Sequence, residues 1–190
     1  MNIVGLLLAA GSATRFGSDK LSHPLPHGVP MAVQAARHLL SVVPRVLAVV
    51  KPGAGELLTQ LKNEGCEAVI CDNAAQGMGA SLACAARAAG KADGYLVALA
   101  DMPFVRASSI AAVRDALAIG APLVAPYFRA RRGHPVGIAG AFFEDLLKLK
   151  GDEGAKQLLA AHPLKKIPVG DPGVIRDIDT PADLTPPLRV

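Results

Sequence analysis

The sequence has no tryptophan, and aromatic residues of all kinds make up only 4% of the chain. It therefore has little material with which to stack the bases of single-stranded nucleic acid. The excess of positive charge is also small, with 20 Lys and Arg against 16 Asp and Glu and a formal net charge of +4. Such an excess suits an anionic small molecule, and we expect no nucleic-acid partner.

Features of secreted and membrane proteins are also absent from the sequence. The three cysteines, Cys66, Cys71 and Cys84, are odd in number and have no C-x-x-C spacing, which favours reduced, mostly buried thiols. No basic segment precedes the first apolar run, and every apolar run is far shorter than the roughly 18 residues of a transmembrane helix. We therefore expect a cytoplasmic protein without a membrane partner.

What the sequence does have is a regular alternation of apolar strands and amphipathic helices, typical of one α/β domain. Strands are predicted at Ile3–Ala9, Arg45–Val50, Ala68–Cys71, Gly94–Ala100, Ala121–Pro126, Val136–Ala139, Leu164–Val169 and Val174–Ile178. Helices are predicted at Met31–Val42, Glu56–Asn63, Met78–Ala89, from a cap at Ser108 or Ser109 to Ile119, Ala141–Leu149 and Asp152–Ala161. The pattern predicts a three-layer α/β sandwich around a mostly parallel, Rossmann-like sheet.

The first strand leads into a loop that carries two glycines and several hydrogen-bond donors. Gly11 and Gly17 let the backbone approach a ligand closely, and Ser12, Arg15 and Lys20 are donors suited to phosphate. The loop is neither a P-loop nor a dinucleotide fingerprint. An ordinary strand-to-helix turn with incidental basic residues explains the glycines equally well.

Aspartates in two places are candidate metal ligands. Asp101 directly follows a buried strand, at the sheet edge where such folds bind ligands, and one or two carboxylates with substrate phosphates are a common Mg²⁺ site. Capping of the next helix is the alternative role for Asp101. Asp177 and Asp179 flank Ile178, so on a strand they share a face. Either supplies a second metal ligand, or both decorate an edge strand.

Two further segments carry glycine or histidine at predicted loop positions. Gly77 and Gly79 precede a helix whose first turn holds Ser81, an arrangement that binds anions or polar base edges, or else forms only a tight turn. His134 lies in a Gly-His-Pro loop, where a structural role is the usual one. Three arginines just before it either attract a phosphate or form a solvated charge run: Arg129, Arg131 and Arg132.

Together these segments resemble the molybdenum-cofactor nucleotidyltransferases of the MobA-like group, most closely the branch that attaches CMP to molybdopterin. LAAGSATRFGSDK is similar to the family pattern LAAGxSxRxGxxK. NAAQGMGASL, DMP, GHPV, GDEGA and DIDTPADL follow in the family's order, so the resemblance runs from Leu8 to Leu184. It implies that residues 1–190 are a single MobA-like nucleotidyltransferase domain.

The resemblance also implies roles for individual residues. Backbone groups of Ala9, Ala10 and Gly11 would contact the nucleotide, and Arg15 and Lys20 would hold its triphosphate. Asp101 would bind Mg²⁺ together with Asp179 or Asp177, and Mn²⁺ is an alternative ion. Asn73, Gly77 and Ser81 would recognise the nucleotide or its base. His134 would lie on the pterin side.

The implied reaction is transfer of CMP from CTP to the phosphate of molybdopterin or molybdenum cofactor, with a molybdoenzyme as the recipient of the product. CTP is favoured because GTP-using relatives more often read LAGG. Two alternative reactions are a GTP-dependent guanylyl transfer and a nucleotidyl transfer to a sugar or alditol phosphate. A third alternative is that the protein carries the cofactor without catalysing a reaction. Two His and two Pro between Lys20 and Gly28, where relatives often have KLLLP, leave the acceptor open.

Overall fold

A computed structural model of the chain describes residues 1–11, 20–152 and 154–185. Within these ranges the strands are β1 Ile3–Ala9, β2 Val46–Val50, β3 Glu67–Ile70, β4 Gly94–Leu99, β5 Leu123–Phe128, β6 Arg131–Arg132, β7 Val136–Ala139 and β8 Leu164–Pro168. The helices are α1 Met31–Leu40, α2 Gly55–Asn63, α3 Met78–Ala89, α4 Ala107–Ala118, α5 Phe143–Lys148 and α6 Lys156–Ala161. None of these helices is long and apolar enough to cross a membrane.

The strands form one mixed sheet in the order β3-β2-β1-β4-β7-β5, with β6 and β8 paired to β5. β1, β2, β3 and β4 are parallel to one another. β7 lies antiparallel between β4 and β5, and β8 is parallel to β5 on its far side. The carboxyl ends of β1 to β5 therefore lie at one edge of the sheet.

Helices cover both faces of this sheet. All seven residues of β1 are buried, as expected for a strand that is packed on both sides. Alternate residues of β1 contact a core that includes Met31 of α1 and Val113 of α4 on one face. The other residues contact a core that includes Leu82 of α3 and Leu146 of α5 on the opposite face. The predicted three-layer α/β sandwich is confirmed.

The segment Val174–Ile178 is not the predicted strand. Residues Pro172–Ile175 form a 3₁₀ turn, capped by Asp171, whose carboxylate accepts a hydrogen bond from the Gly173 N–H at 2.9 Å. A Cβ on Gly173 would lie 2.1 Å from the Phe104 carbonyl oxygen. The Val174 and Arg176 N–H groups donate to the carbonyl oxygens of Asp171 and Gly173 within this turn, so they are not available for pairing with a neighbouring strand.

The predicted serine cap of α4 is also wrong. Arg106 is at the N-cap position of α4, and its side chain makes no capping hydrogen bond. Instead, Asp171 lies at this helix terminus and accepts hydrogen bonds from the Arg106 N–H at 2.9 Å and the Ser109 hydroxyl at 2.7 Å. Ser109 is thus in the first turn of α4 and bonds to a carboxylate from a distant loop.

Candidate functional site

The carboxyl-terminal edge of the sheet opens into a cavity of about 680 Å³. Residues that follow four neighbouring parallel strands contribute to its lining: Gly11 after β1, Lys51 after β2, Asp72 after β3 and Asp101 after β4. Ligands bind at this edge in open α/β sheets because the loops there diverge and leave a crevice. The cavity is therefore the candidate functional site.

A lysine between two carboxylates lies in this cavity. The Lys20 Nζ is 3.1 Å from Asp101 Oδ2 and 3.0 Å from Asp179 Oδ1. Lys20 is only 7% exposed. Burial disfavours its charged form, but the attraction of Asp101 and hydrogen bonds to both carboxylates outweigh burial, and the pKa of Lys20 is raised. Lys20 is therefore a charged ammonium held by two acids.

Asp101 itself is in an unfavourable place for a negative charge. Burial raises the pKa of its carboxyl group, and Lys20 offsets this only in part. The negative charge of Asp177 adds a smaller upward contribution to the same pKa. A further positive charge close to such a buried carboxylate stabilises its ionised form. Asp101 is therefore suited to bind a metal ion.

Asp179 reaches the centre through a backbone contact. The Ile178 N–H donates a hydrogen bond of 2.9 Å to the Asp101 carbonyl oxygen, and the Ile178 side chain is fully buried. Directly after Asp179, Thr180 and Asp183 form a capping box with Pro181 in the first turn. Asp179 is thus held between an anchored residue and a capped turn.

Asp177 has a different position from the one predicted. Because Val174–Ile178 is not a strand, Asp177 and Asp179 do not share a face through strand alternation. Asp177 is exposed and influences Asp101 through its charge alone. The carboxylate that shares Lys20 with Asp101 is that of Asp179.

The two carboxylates fit a divalent metal ion that also has substrate phosphates as ligands. Asp101 and Asp179 converge on one point, which the Lys20 ammonium shows to be a place for a cation. Among the described residues, no group of three or more His, Cys, Asp or Glu side chains is placed to hold a metal. An all-protein metal cage is therefore absent from this part of the chain, whereas Mg²⁺ typically takes one or two carboxylates with phosphates and water.

Gly77 at the N-cap of α3 and Gly79 in its first turn fit against a loop far along the chain. A Cβ on Gly77 would lie 2.2 Å from Asp152 Oδ1, and a Cβ on Gly79 would lie 2.6 Å from the Lys150 carbonyl oxygen. The Gly79 N–H donates a hydrogen bond of 2.7 Å to the Gly151 carbonyl oxygen. The two motifs GMG and GDEGA are therefore in direct contact, and the N–H of Gly79 is not free to bind a nucleotide.

Of the residues predicted to recognise the nucleotide, several line the cavity. The residues that do so are Ala10, Gly11, Gly77 and Ser81. The Ser81 hydroxyl donates a 3.3 Å hydrogen bond to the Gly77 carbonyl oxygen. Ala9, for which a backbone contact was predicted, is not in the described lining, and its side chain is buried in the core. Ser12 and Arg15 lie outside the described residues.

Asn73 and His134 are not part of the cavity lining that the structure describes. Asn73 is exposed next to the cavity residue Asp72, and its Oδ1 is 3.0 Å from Cys71 Sγ. His134 is anchored through its N–H to the Val174 carbonyl oxygen at 2.8 Å. Burial, and to a lesser extent the charge of Arg132, lower the pKa of His134 to about 4, so its imidazole is neutral at pH 7.

Three charged residues of the cavity were missed in the sequence: Lys51, Asp72 and Asp152. The signal for the first two was present, because each follows the carboxyl end of a predicted strand, as Asp101 does. The described lining has more acidic than basic groups. Its acidic residues are Asp72, Asp101, Asp152 and Asp179, and its basic residues are Lys20 and Lys51. An anionic ligand there needs additional positive charge.

The chain is similar to known proteins over most of its length. Residues 5–167 match the family model of the MobA-like NTP transferase domain. The purine catabolism protein PucB of Bacillus subtilis is 29% identical over 194 aligned residues, which cover 95% of this chain and 93% of PucB.

Solved structures share the fold over nearly the whole chain. Rv0371c from Mycobacterium tuberculosis is 25% identical, with a TM-score of 0.81 over 96% of this chain and 94% of that one. A complex of Rv0371c with manganese gives 24% identity and a TM-score of 0.77 over 96% of both chains. CMP-2-keto-3-deoxy-manno-octonic acid synthetase in complex with CTP gives a TM-score of 0.74 at 14% identity, over 97% of this chain and 95% of that one.

Proposed function

This chain belongs to the family of MobA-like NTP transferase domains, and we propose that it transfers CMP from CTP to the terminal phosphate of molybdopterin or molybdenum cofactor. The observation that carries the proposal is the Lys20, Asp101 and Asp179 cluster in a cavity lined by residues at the ends of four parallel strands. This cluster combines one cation that can bind phosphate with two carboxylates that can hold a metal ion.

The reaction requires little covalent chemistry from the protein. An oxygen of the acceptor phosphate attacks the α-phosphorus of CTP, a new phosphorus–oxygen bond forms, and the bond to the β-phosphate oxygen breaks to release pyrophosphate. A phosphate nucleophile is already ionised at neutral pH, so no general base has to remove a proton. Rate enhancement comes from holding two anions in line and from positive charge near the reacting phosphorus.

Asp101 and Asp179 are the residues that would hold Mg²⁺, with Mn²⁺ as an alternative. The bound ion supplies positive charge to the phosphates. The manganese complex of Rv0371c, which has the same fold, supports the use of a divalent metal ion. The excess of aspartates in the described lining supports it as well, because a triphosphate would otherwise meet more negative than positive groups.

Lys20 and Arg15 would bind the triphosphate. Lys20 lies beside Asp101, so its ammonium would be close to a phosphate bound at that carboxylate. Ala9 is the last residue of β1, and Ala10, Gly11 and Ser12 follow it in the sequence. Backbone N–H groups of these four residues would complete the phosphate site.

CTP is the nucleotide that the chain's motifs favour. LAAG and GMGASL are the motifs that match the cytidylyl branch, and the CTP complex of a protein with the same fold is consistent with that choice. Gly77 and Ser81 line the cavity and Asn73 lies close to it in the chain, so these residues would recognise the base. His134 would lie on the acceptor side, and a molybdoenzyme would receive the product.

The experiment that tests this function is pyrophosphate release by purified protein with Mg²⁺, molybdopterin and each nucleoside triphosphate in turn. We expect release with CTP alone. Release with GTP would replace the cytidylyl assignment with a guanylyl one, and release only with sugar phosphates would replace the acceptor. Binding of molybdopterin without release from any nucleotide would favour a carrier.

A matched pair of variants ties any activity to the proposed centre. Asp101→Asn keeps the shape of the side chain but removes its charge, and we expect turnover to fall by at least about a hundredfold. Asp145→Asn makes the same change on α5, where Asp145 is exposed and forms an ion pair with Lys148 within the described part of the chain. That control should keep the activity of the parent protein.

A further inference from the structure

An aromatic ring lies between two cations at the same sheet edge as the cavity. Tyr127 is near the carboxyl end of β5, and the Lys166 Nζ on β8 is 5.3 Å from the centre of its ring. On the other side of β5, Arg132 of β6 is directly opposite Tyr127 in the antiparallel register. Residues that are directly opposite in such a pair have their side chains on the same face of the sheet.

This group, which we call the Tyr127 platform, consists of Tyr127, Lys166 and Arg132. Both cations are exposed, and the tyrosine is partly exposed. No ion pair joins Lys166 or Arg132 to a carboxylate among the described residues. Two positive charges that are not neutralised and a ring face form a surface suited to a planar, anionic ligand.

The Tyr127 platform is on the same face of the sheet as the cavity. Tyr127 packs against the core that contains Leu8 and Ala10, and both of these residues line the cavity. β7 is the one strand between β4 and β5. The platform is therefore about two strand spacings from the strand that leads to Asp101, or on the order of 10 Å.

Along the sheet, Asp101 lies between the platform and the cavity residues that follow β2 and β3. Lys51 and Asp72 follow β2 and β3, which are on one side of β4, whereas Tyr127 is on β5, on the other side. In-line displacement at phosphorus requires the entering and leaving oxygens to be on opposite sides of the reacting atom. A nucleotide on the β2 and β3 side thus leaves the β5 side for the acceptor.

We infer that the Tyr127 platform binds the aromatic, anionic body of the acceptor, with Tyr127 against its ring and Lys166 and Arg132 against its negative charge. The inference rests on the proposed function, because it takes the reacting phosphates to be at Asp101. A pterin phosphate is the ligand class with both properties. A sugar phosphate has the charge, but its ring is saturated and non-planar and cannot stack on Tyr127 as an aromatic ring does.

The experiment measures binding without nucleotide or metal, by titration calorimetry with neopterin phosphate and with ribose 5-phosphate. We expect neopterin phosphate to bind at least about fivefold more tightly than the sugar phosphate. Tyr127→Ala should weaken binding of neopterin phosphate by about fivefold or more, while binding of ribose 5-phosphate changes less than twofold. Equal affinities of the parent protein for the two probes would overturn the aromatic part of the inference.

Lys166 has a matched control in the residue before it. Lys165 is in the same strand and is also exposed, but strand alternation places it on the opposite face of the sheet. Lys166→Ala should weaken neopterin phosphate binding by about fivefold, and Lys165→Ala should leave it within twofold. Equal losses in the two variants would show that only overall charge matters and would overturn the site.

Failure of this site and failure of the proposed function give different results. If Tyr127→Ala and Lys166→Ala release pyrophosphate with molybdopterin at the rate of the parent protein, the platform is overturned and the proposed function is supported. Binding of neopterin phosphate that depends on these residues, with no pyrophosphate release from any nucleotide, would support the platform and overturn the proposed transfer.

Discussion

The ammonium of Lys20 and the carboxylate of Asp101 form an ion pair across a distance of 3.1 Å, at the end of the strand that leads to the cavity. Asp179 shares the same ammonium at 3.0 Å. In the absence of ligands, the lysine therefore occupies the point at which two metal-binding carboxylates converge. Its charge opposes the entry of a second cation unless phosphates draw the lysine away.

Replacement of this lysine should increase the affinity for a metal ion. In Lys20→Met the two carboxylates lose their neutralising charge but keep their positions relative to the backbone, so Mn²⁺ should bind about tenfold more tightly without nucleotide. Titration calorimetry at pH 8 measures this directly. Lys51→Met removes another cavity lysine that makes no contact with Asp101 among the described residues, and it should change Mn²⁺ affinity less than twofold. Weaker Mn²⁺ binding in Lys20→Met would contradict the assignment of this site.

The contact between α3 and the loop at 150–152 should depend on Gly77. Gly77 has a φ of 115° and no room for a Cβ, because Asp152 and Gly151 occupy that space. Gly77→Ala should lower the free energy of unfolding by about 2–4 kcal/mol through backbone strain and steric overlap, measured by urea denaturation. Gly90→Ala provides the control, since Gly90 has a φ of 72° but open space around it. Gly90→Ala should lower the free energy of unfolding by about 1 kcal/mol. Equal losses in the two variants would leave only backbone strain as the cause.

Asp171 should be among the most important polar groups for stability. Its buried carboxylate accepts hydrogen bonds from the Arg106 N–H, the Ser109 hydroxyl and the Gly173 N–H, and so joins α4 to the turn at Pro172–Ile175. Asp171→Asn should lower the free energy of unfolding by about 2–3 kcal/mol, because an amide has only one acceptor oxygen for these donors. Ser109→Ala removes a single donor and should cost about 1 kcal/mol. A loss in Asp171→Asn no larger than in Ser109→Ala would contradict this account.

His134 should make the protein less stable in mild acid. Its pKa is lowered from 6.5 to about 4 in the folded state, chiefly by burial, so the unfolded chain binds the proton more readily. The stability that the neutral imidazole provides is complete above pH 6.5 and declines as the pH falls toward 4, by up to about 3 kcal/mol. Urea denaturation between pH 7 and pH 4 measures the decline. In His134→Gln that part of the pH dependence should disappear, and an unchanged pH profile would remove His134 as its source.

The sheet and part of the site could be predicted from local patterns. Apolar runs identified β1, β2 and β4, because burial on both faces leaves a continuous hydrophobic signature. The rule that ligands meet the carboxyl ends of parallel strands led to Asp101 and Lys20. The same rule, applied to β2 and β3, leads to Lys51 and Asp72.

The rest depended on contacts between distant parts of the chain. The choice of Asp179 over Asp177 as the partner of Lys20 follows from the hydrogen bond between Ile178 and Asp101, which no local pattern reveals. The strand β6 was missed because its hairpin turn places two non-glycine residues, Arg129 and Ala130, at positive φ. Such residues carry no turn signal in the sequence.

The most direct test of the central claim follows the α-phosphate of CTP. CTP labelled with ³²P at the α position is incubated with molybdopterin, Mg²⁺ and either the parent protein or Asp101→Asn, and the labelled products are separated. We expect the label to join the pterin product with the parent protein and to remain in CTP with the variant. Label that appears as free CMP, or that joins the pterin equally well in Asp101→Asn, would contradict the account.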